Sequence, residues 1–275
     1  GLLAMACARA AQELDAADRV RVLACEMQEC MAELATAVIA ENGLGDLITV
    51  VPKASQSLSF EDVAAAAPAG FDMVTSELLD WILLGEGWIA TMEHVRNAVL
   101  EGPGGEKLKL VKDDAVFIPQ GAKVWATLVS CEEMREARRG PFDALRIFSD
   151  DGGASGGVRI AATGVAPAAV EDEDMARQMP FPVHVPAAFG SGLEGGLRAV
   201  AEPVWVSQHL IQGHGIISQR VVSDAVLKVD AKVDAIVYWF ELTLDDAHTY
   251  TNKPEADYFQ DHWPCACVPL PPSHD

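Results

Sequence analysis

From Gly1 to about Pro119 the chain alternates stretches of helical apolar spacing with short β-branched runs, a pattern that few architectures accommodate. Residues 2–14 read as a helix, 19–25 as a short buried strand, and 28–42 as a second helix closed by the C-cap pair Asn42-Gly43. Residues 46–52 and 71–75 read as strands, the latter after an Ala-rich linker ending in Pro68-Ala69-Gly70. A helix over 88–100 and a strand over 114–118 complete the series before Pro119. Parallel strands need crossover connections, so this alternation predicts an α/β domain. Helices cover both faces of its sheet, and ligands bind at the carboxyl ends of its strands. After Pro119 the segments 122–130, 202–207, 223–229 and 235–244 read as strands with no long amphipathic helix between them. That half is expected to be antiparallel, either barrel-like or a sandwich. The predicted organisation is two domains, 1–119 and 120–275, with a flexible acidic insertion at about 131–178 that carries Glu171-Asp172-Glu173-Asp174.

Composition narrows the function classes. With 20 Lys+Arg against 41 Asp+Glu, the 275 residues carry a net charge of −21, yet half of them are hydrophobic. A disordered chain combines high charge with low hydrophobicity, which excludes that class. A surplus of carboxylates argues against direct nucleic-acid binding, because phosphates need a cationic face. Two readings of the acidic surface remain open: attraction of cationic ligands or peptides, and solubility alone. No uncharged apolar run reaches the roughly 18 residues of a membrane span, and no signal-peptide pattern opens the chain. The expectation is a soluble protein of the cytoplasm or nucleus, without a membrane partner, whose six cysteines are reduced. Cys265-Ala266-Cys267 lacks zinc-knuckle spacing, and His209 and His214 do not stack on a helix face, so no metal site is expected.

Two constellations carry chemistry. Gly1 opens a helix, and Glu26 follows the strand ending at Cys25. A carboxylate there can accept hydrogen bonds from both ribose hydroxyls of a nucleoside, without distinguishing a nicotinamide cofactor from S-adenosylmethionine; a surface glutamate is the alternative. The second constellation is Glu77 and Glu86, which flank an almost wholly apolar stretch directly after a predicted strand. Two carboxylates in one apolar setting repel each other unless a cation lies between them, and a planar guanidinium fits two carboxylates with its five donors. Two glutamates on a helix face are the alternative, although their nine-residue spacing does not align them.

With these residues in view, Ser76–Glu86 resembles the "double-E" loop of the protein arginine methyltransferases. Gly1-Leu2-Leu3-Ala4-Met5-Ala6 is similar to the tail of that family's glycine-rich motif I, and Ala24-Cys25-Glu26-Met27 to its ribose-binding strand end. Lys53-Ala54-Ser55-Gln56 falls where the family contacts adenine, and Ile118-Pro119 matches the end of its Rossmann domain. Asp261-His262-Trp263 resembles the family's "THW" loop, with Asp where many members have Thr. Together with Gly85-Glu86-Gly87 and Phe181-Pro182-Val183-His184-Val185, the pattern is most similar to the family's type-7 members.

The resemblance implies a Rossmann-like S-adenosylmethionine domain followed by an antiparallel β-barrel-like domain. It implies methyl transfer to guanidino nitrogens of arginine in proteins, of monomethylating or symmetric type. Glu77, Glu86, His262 and Asp261 are then the catalytic residues; Gly1, Glu26, Met27, Ser55 and Gln56 hold the cofactor, and Trp263 walls the arginine channel. Arg/Gly-rich protein segments, histones among them, are the implied substrates, and a dimer is the implied assembly. Trp88 and Met92 read as core, with a pocket-narrowing role for Trp88 as the alternative.

A non-catalytic arginine-peptide binder or dimer partner of the same fold is the competing function. A small-molecule methyltransferase or a nicotinamide dehydrogenase explains Glu26 but neither the glutamate pair nor Asp261-His262-Trp263. The resemblance also places the first glycines of motif I before Gly1 and the end of the barrel after residue 275. The 275-residue chain by itself is therefore expected to bind S-adenosylmethionine poorly, and micromolar binding in calorimetry contradicts that expectation.

Overall fold

A computed structural model of the chain describes residues 1–132, 146–147, 160–161, 181–183, 197–212, 215–220, 222–253 and 263–270. The chain divides into two compact units. Gly1–Leu78, Gly87–Gly121 and Leu210–Ile217 form the first; Leu79–Glu86, Ala122–His209 and Ser218–Asp275 form the second.

The first unit opens with α1 (Leu2–Glu13), β1 (Val22–Cys25), α2 (Glu29–Glu41) and β2 (Ile48–Val51). In α1 the buried residues are Ala4, Ala8 and Ala11, a stripe at helical spacing whose small side chains allow close approach. Ala4 and Ala8 share a core cluster with Ile39, Leu44 and Ile48, against which Val22 and Val50 pack. β1 and β2 pair in parallel, from Val22 opposite Ile48 to Cys25 opposite Val51.

The end of α2 has a definite geometry. Asn42 is its C-cap, and Gly43 follows at φ 67°. The Gly43 N–H donates to the Ala40 carbonyl at 2.9 Å, and the Leu44 N–H reaches back to Ile39 O at 3.0 Å. This is a Schellman closure, and it delivers Leu44 into the same core as Ile39.

A 3-10 turn (Ser55–Ser57) and α3 (Phe60–Ala64) precede β3 (Phe71–Thr75). Sequence alone marks this Ala-rich stretch as a linker. The helix forms because Ser59 and Asp62 make a reciprocal capping box. α4 (Trp88–Asn97) is shorter than predicted: its continuation becomes β4 (Val99–Glu101), paired antiparallel with β5 (Lys107–Lys109) across a Pro/Gly-rich turn. β6 (Val111–Ile118) runs parallel to β3, with Thr75 opposite Ile118. β1–β2 and β3–β6 form two two-stranded parallel sheets. Trp88 and Met92 are buried at 0% and 3% exposure, as core residues of α4.

The second unit is built on β7 (Gly121–Ser130). The backbone then forms β8 (Arg146–Ile147), β9 (Ile160–Ala161), β10 (Phe181–Val183), β11 (Arg198–Ala199), β12 (Val204–Gln212) and β13 (Gly215–Arg220), of which Leu210–Ile217 belongs to the first unit. β14 (Ala235–Thr243), β15 (Thr249–Thr251) and β16 (Cys265–Pro269) complete it. The main sheet has the order β10-β16-β14-β7-β12-β13, with β11 on β7 and β15 on β14. Ala235, Val237 and Trp239 of β14 point alternately into the core. The neighbouring face of β7, β12 and β14, including Val124, Ala126, Val206 and Tyr238, lines an apolar cavity of about 440 Å³.

Residues 223–229 are not a strand; only the isolated bridge Ala201–Leu227 forms, and Val226 and Val229 stay exposed. β-Branched residues make a strand only where a neighbour offers a ladder, and none is offered here among the described residues. β13 and β16, by contrast, were not legible as strands. Most of the predicted insertion at 131–178 lies outside the described residues. All six cysteines are thiols, and no helix among the described residues is long and apolar enough to cross a membrane.

The Schellman closure yields a test. Gly43→Ala meets no atom within 4 Å, so its cost is conformational, about 1 kcal/mol. Gly45→Ala also meets open space but has no left-handed backbone, and its urea midpoint should match the wild type while that of Gly43→Ala falls.

Candidate active site

In the first unit each residue predicted to bind the cofactor follows the carboxyl end of a strand or opens a helix. Gly1 is the N-cap of α1, and its carbonyl accepts from Met5 N–H at 3.1 Å. Glu26 directly follows β1, held by its own N–H on Val51 O at 3.1 Å. Its side chain is half-buried, and Oε1 accepts the Gln28 N–H at 2.9 Å. Among the described residues Oε2 has no hydrogen bond, so one carboxylate oxygen remains for a ligand hydroxyl. Met27 beside it is exposed.

The segment after β2 is anchored twice. Lys53 Nζ donates to Asp62 Oδ2 at 2.6 Å, which ties the segment to the capping box of α3. Gln56 Nε2 donates to Thr91 Oγ1 of α4 at 2.9 Å, and Ser55 Oγ donates weakly to Gln56 Oε1 at 3.3 Å. The Gln56 amide nitrogen is thus turned toward α4, a positioning contact that its sequence context does not reveal. After β3, Ser76 N–H binds Ile118 O at 3.0 Å and its hydroxyl contacts Met92 Sδ at 3.6 Å. Glu77 comes next and is exposed.

Glu86 belongs to the second unit, in the segment Leu79–Glu86, and is likewise exposed. The predicted loop is a tight turn there: Leu83 N–H donates to Asp80 O at 2.8 Å, and Gly85 N–H donates to Asp80 Oδ1 at 3.0 Å. Sequence reasoning misses Asp80; its only signal is a turn-forming Asp five residues before Gly85 inside an apolar run.

Trp263 sits in an aromatic cluster of the same unit, 5.3 Å from Tyr250 and 5.7 Å from Phe240 between ring centroids, both edge-on. Buried Asn252 stabilises that corner: its Oδ1 accepts Phe240 N–H at 2.8 Å and its Nδ2 donates to Pro264 O at 3.0 Å. Asp261 and His262 lie outside the described residues. Among the described residues no three His, Cys, Asp or Glu side chains gather as a metal site.

No family model matches the chain. The arginine N(omega)-methyltransferase of Streptomyces achromogenes subsp. streptozoticus is 28% identical over 98% of this chain and 61% of its own length. Protein arginine N-methyltransferase 7 of Aedes aegypti is 36% identical over 48% of this chain and 16% of its own length. The Trypanosoma brucei PRMT1 enzyme–prozyme heterotetrameric complex with AdoHcy is 14% identical but matches 91% of this chain and 65% of that chain with a TM-score of 0.58. The chain is thus similar in sequence to named arginine methyltransferases and in fold to a solved one.

The fold shared with that structure is a Rossmann-like domain followed by an antiparallel β-barrel-like domain. The chain spans less than two thirds of the length of the Streptomyces and mosquito relatives.

Asp62 provides a pH test of the segment beside Glu26. Lys53's hydrogen bond first, and the Ser59 N–H second, hold its carboxyl below the usual value of 3.8. A lowered folded-state value means that the contribution is full above the unfolded-state value, near 4, and is lost as pH falls through the folded one. Urea midpoints of wild type and Asp62→Asn should therefore differ at neutral pH and converge below about pH 4.

Proposed function

We propose that this chain is the catalytic core of an S-adenosylmethionine-dependent arginine N-methyltransferase acting on guanidino nitrogens of arginine in proteins. The observation that carries it is the pair of exposed carboxylates, Glu77 at the carboxyl end of a parallel strand and Glu86 at the end of an otherwise apolar turn. Similarity to relatives named as arginine methyltransferases supports the same reading.

The cofactor fits the residues present. Glu26 keeps an acceptor oxygen for a ribose hydroxyl, with exposed Met27 beside it and Ser55 and Gln56 after the next strand. When bound, S-adenosylmethionine supplies the methyl group.

Arginine's guanidinium is a poor nucleophile, because its charge is delocalised and its pKa exceeds about 12. Glu77 and Glu86 hold the guanidinium fork and draw positive charge toward the nitrogens they face, which enriches the attacking nitrogen. Positioning and electrostatics then supply most of the acceleration. Glu86 accepts the released proton, directly or through water. In this reading His262 and Asp261 assist the catalysis, and Trp263, held by Tyr250 and Phe240, walls the arginine channel.

The similarity to methyltransferase 7 sequences favours monomethylation, with symmetric dimethylation as the alternative product. Arg/Gly-rich protein segments, including histone tails, suit an acidic protein of charge −21. The heterotetrameric neighbour favours an assembly of more than one chain.

One observation favours a second substrate class. The Streptomyces relative, which matches 98% of this chain, is named for arginine without reference to protein. Mass spectrometry of the full-length protein with labelled cofactor, offered free arginine or an Arg/Gly-rich peptide, separates the two. Methylated peptide supports the protein substrate and methylated free arginine the second reading. Absence of turnover on both leaves only a non-catalytic arginine binder.

With the preferred substrate, Glu77→Gln and Glu86→Gln should each lower kcat by about a hundredfold or more. Near-normal turnover in both variants removes the assignment.

A further inference from the structure

We infer that Asp80 is a positioning residue whose carboxylate closes the turn that delivers Glu86 and so sets the direction in which Glu86 meets its substrate. The inference rests on the methyltransferase reading of Glu86.

Leu79–Glu86 lies within one compact unit, so the geometry of the turn is internal to it. Asp80 holds the segment at two points. Its backbone carbonyl accepts the Leu83 N–H at 2.8 Å, and its Oδ1 accepts the Gly85 N–H at 3.0 Å. Between these two bonds Leu83 is driven to φ 75°, in the left-handed region that a side chain of its kind rarely enters. A residue stays there only when its surroundings over-determine it. Leu83 is fully buried, which pins the turn from inside, while Leu84, Gly85 and Glu86 remain exposed.

Gly85 is part of the same device. A Cβ on Gly85 would lie 2.0 Å from Asp80 Oδ2, so the carboxylate packs flat against the glycine backbone. Glu86 is the next residue after that contact, leaving little freedom for its backbone. Burial, and secondarily the charge of Asp80, push the Tyr238 hydroxyl above its ordinary pKa of 10, which puts the turn within electrostatic reach of β14.

A capping carboxylate and a capping amide oxygen accept the same bond, whereas an alanine accepts none. In the full-length protein, Asp80→Ala should lower kcat by about tenfold to a hundredfold, with the melting temperature and the cofactor Kd unchanged. Asp80→Asn should restore most of kcat. Gly85→Ala should lower kcat as Asp80→Ala does, because the new Cβ displaces the carboxylate. Added to Asp80→Ala it should cost nothing more, since no carboxylate remains to displace.

Hydrogen exchange at the Gly85 amide supplies a readout independent of turnover: protected in wild type and Asp80→Asn, unprotected in Asp80→Ala. Wild-type kcat in Asp80→Ala, equal losses in Asp80→Asn and Asp80→Ala, or an unprotected Gly85 amide in the wild type each overturns the inference. If the wild type methylates neither free arginine nor an arginine peptide, the functional reading fails. Gly85 protection then still decides whether Asp80 holds the turn.

Discussion

Parallel strand register is the constraint on which the rest of the first unit depends. Cys25 stands opposite Val51 and Thr75 opposite Ile118, so each parallel pair ends its two strands together. Glu26, Lys53 and Glu77 follow those ends within two residues, and each is delivered by backbone rather than by side-chain reach. The register in turn depends on α1 and α2, whose small and branched residues share one core with Ile48. A one-residue slip in such a ladder exchanges the two faces of the strand, which would expose that core.

Around this scaffold the polar anchors act locally. Asp62 serves the N-cap of α3 and Lys53 at once, so one carboxylate both starts a helix and steadies the segment after β2. Asn252 does comparable work in the sheet unit, joining Phe240 to Pro264 next to the Trp263 cluster. In both cases a partly or fully buried polar group is satisfied on more than one side, the condition under which such groups add rigidity rather than cost. Glu77 and Glu86, the carboxylates proposed to meet a cationic substrate, are exposed instead.

Much of the helical and strand pattern was legible because it is local. The C-cap Asn42-Gly43 marks the end of α2, and the β-branched run 48–51 marks β2. The failures are equally local in origin. Residues 223–229 have the composition of a strand but, among the described residues, form only the bridge Ala201–Leu227, whereas Cys265–Pro269 has weak composition but pairs with both β10 and β14. Strand formation is decided by the neighbour, which a one-dimensional pattern does not contain.

The sequence by itself determined the α/β character of the first 119 residues, the antiparallel character of the half after Pro119, and the candidate carboxylates Glu26, Glu77 and Glu86. These depend on period, turn residues and the order of strands along the chain. Only the tertiary structure decided that Gln56 turns toward Thr91, that Asn252 braces Trp263, and that Asp80 closes onto Gly85 beside a left-handed Leu83. Each of those is a hydrogen bond or backbone angle set by what the fold brings close, and spacing along a chain leaves that undetermined.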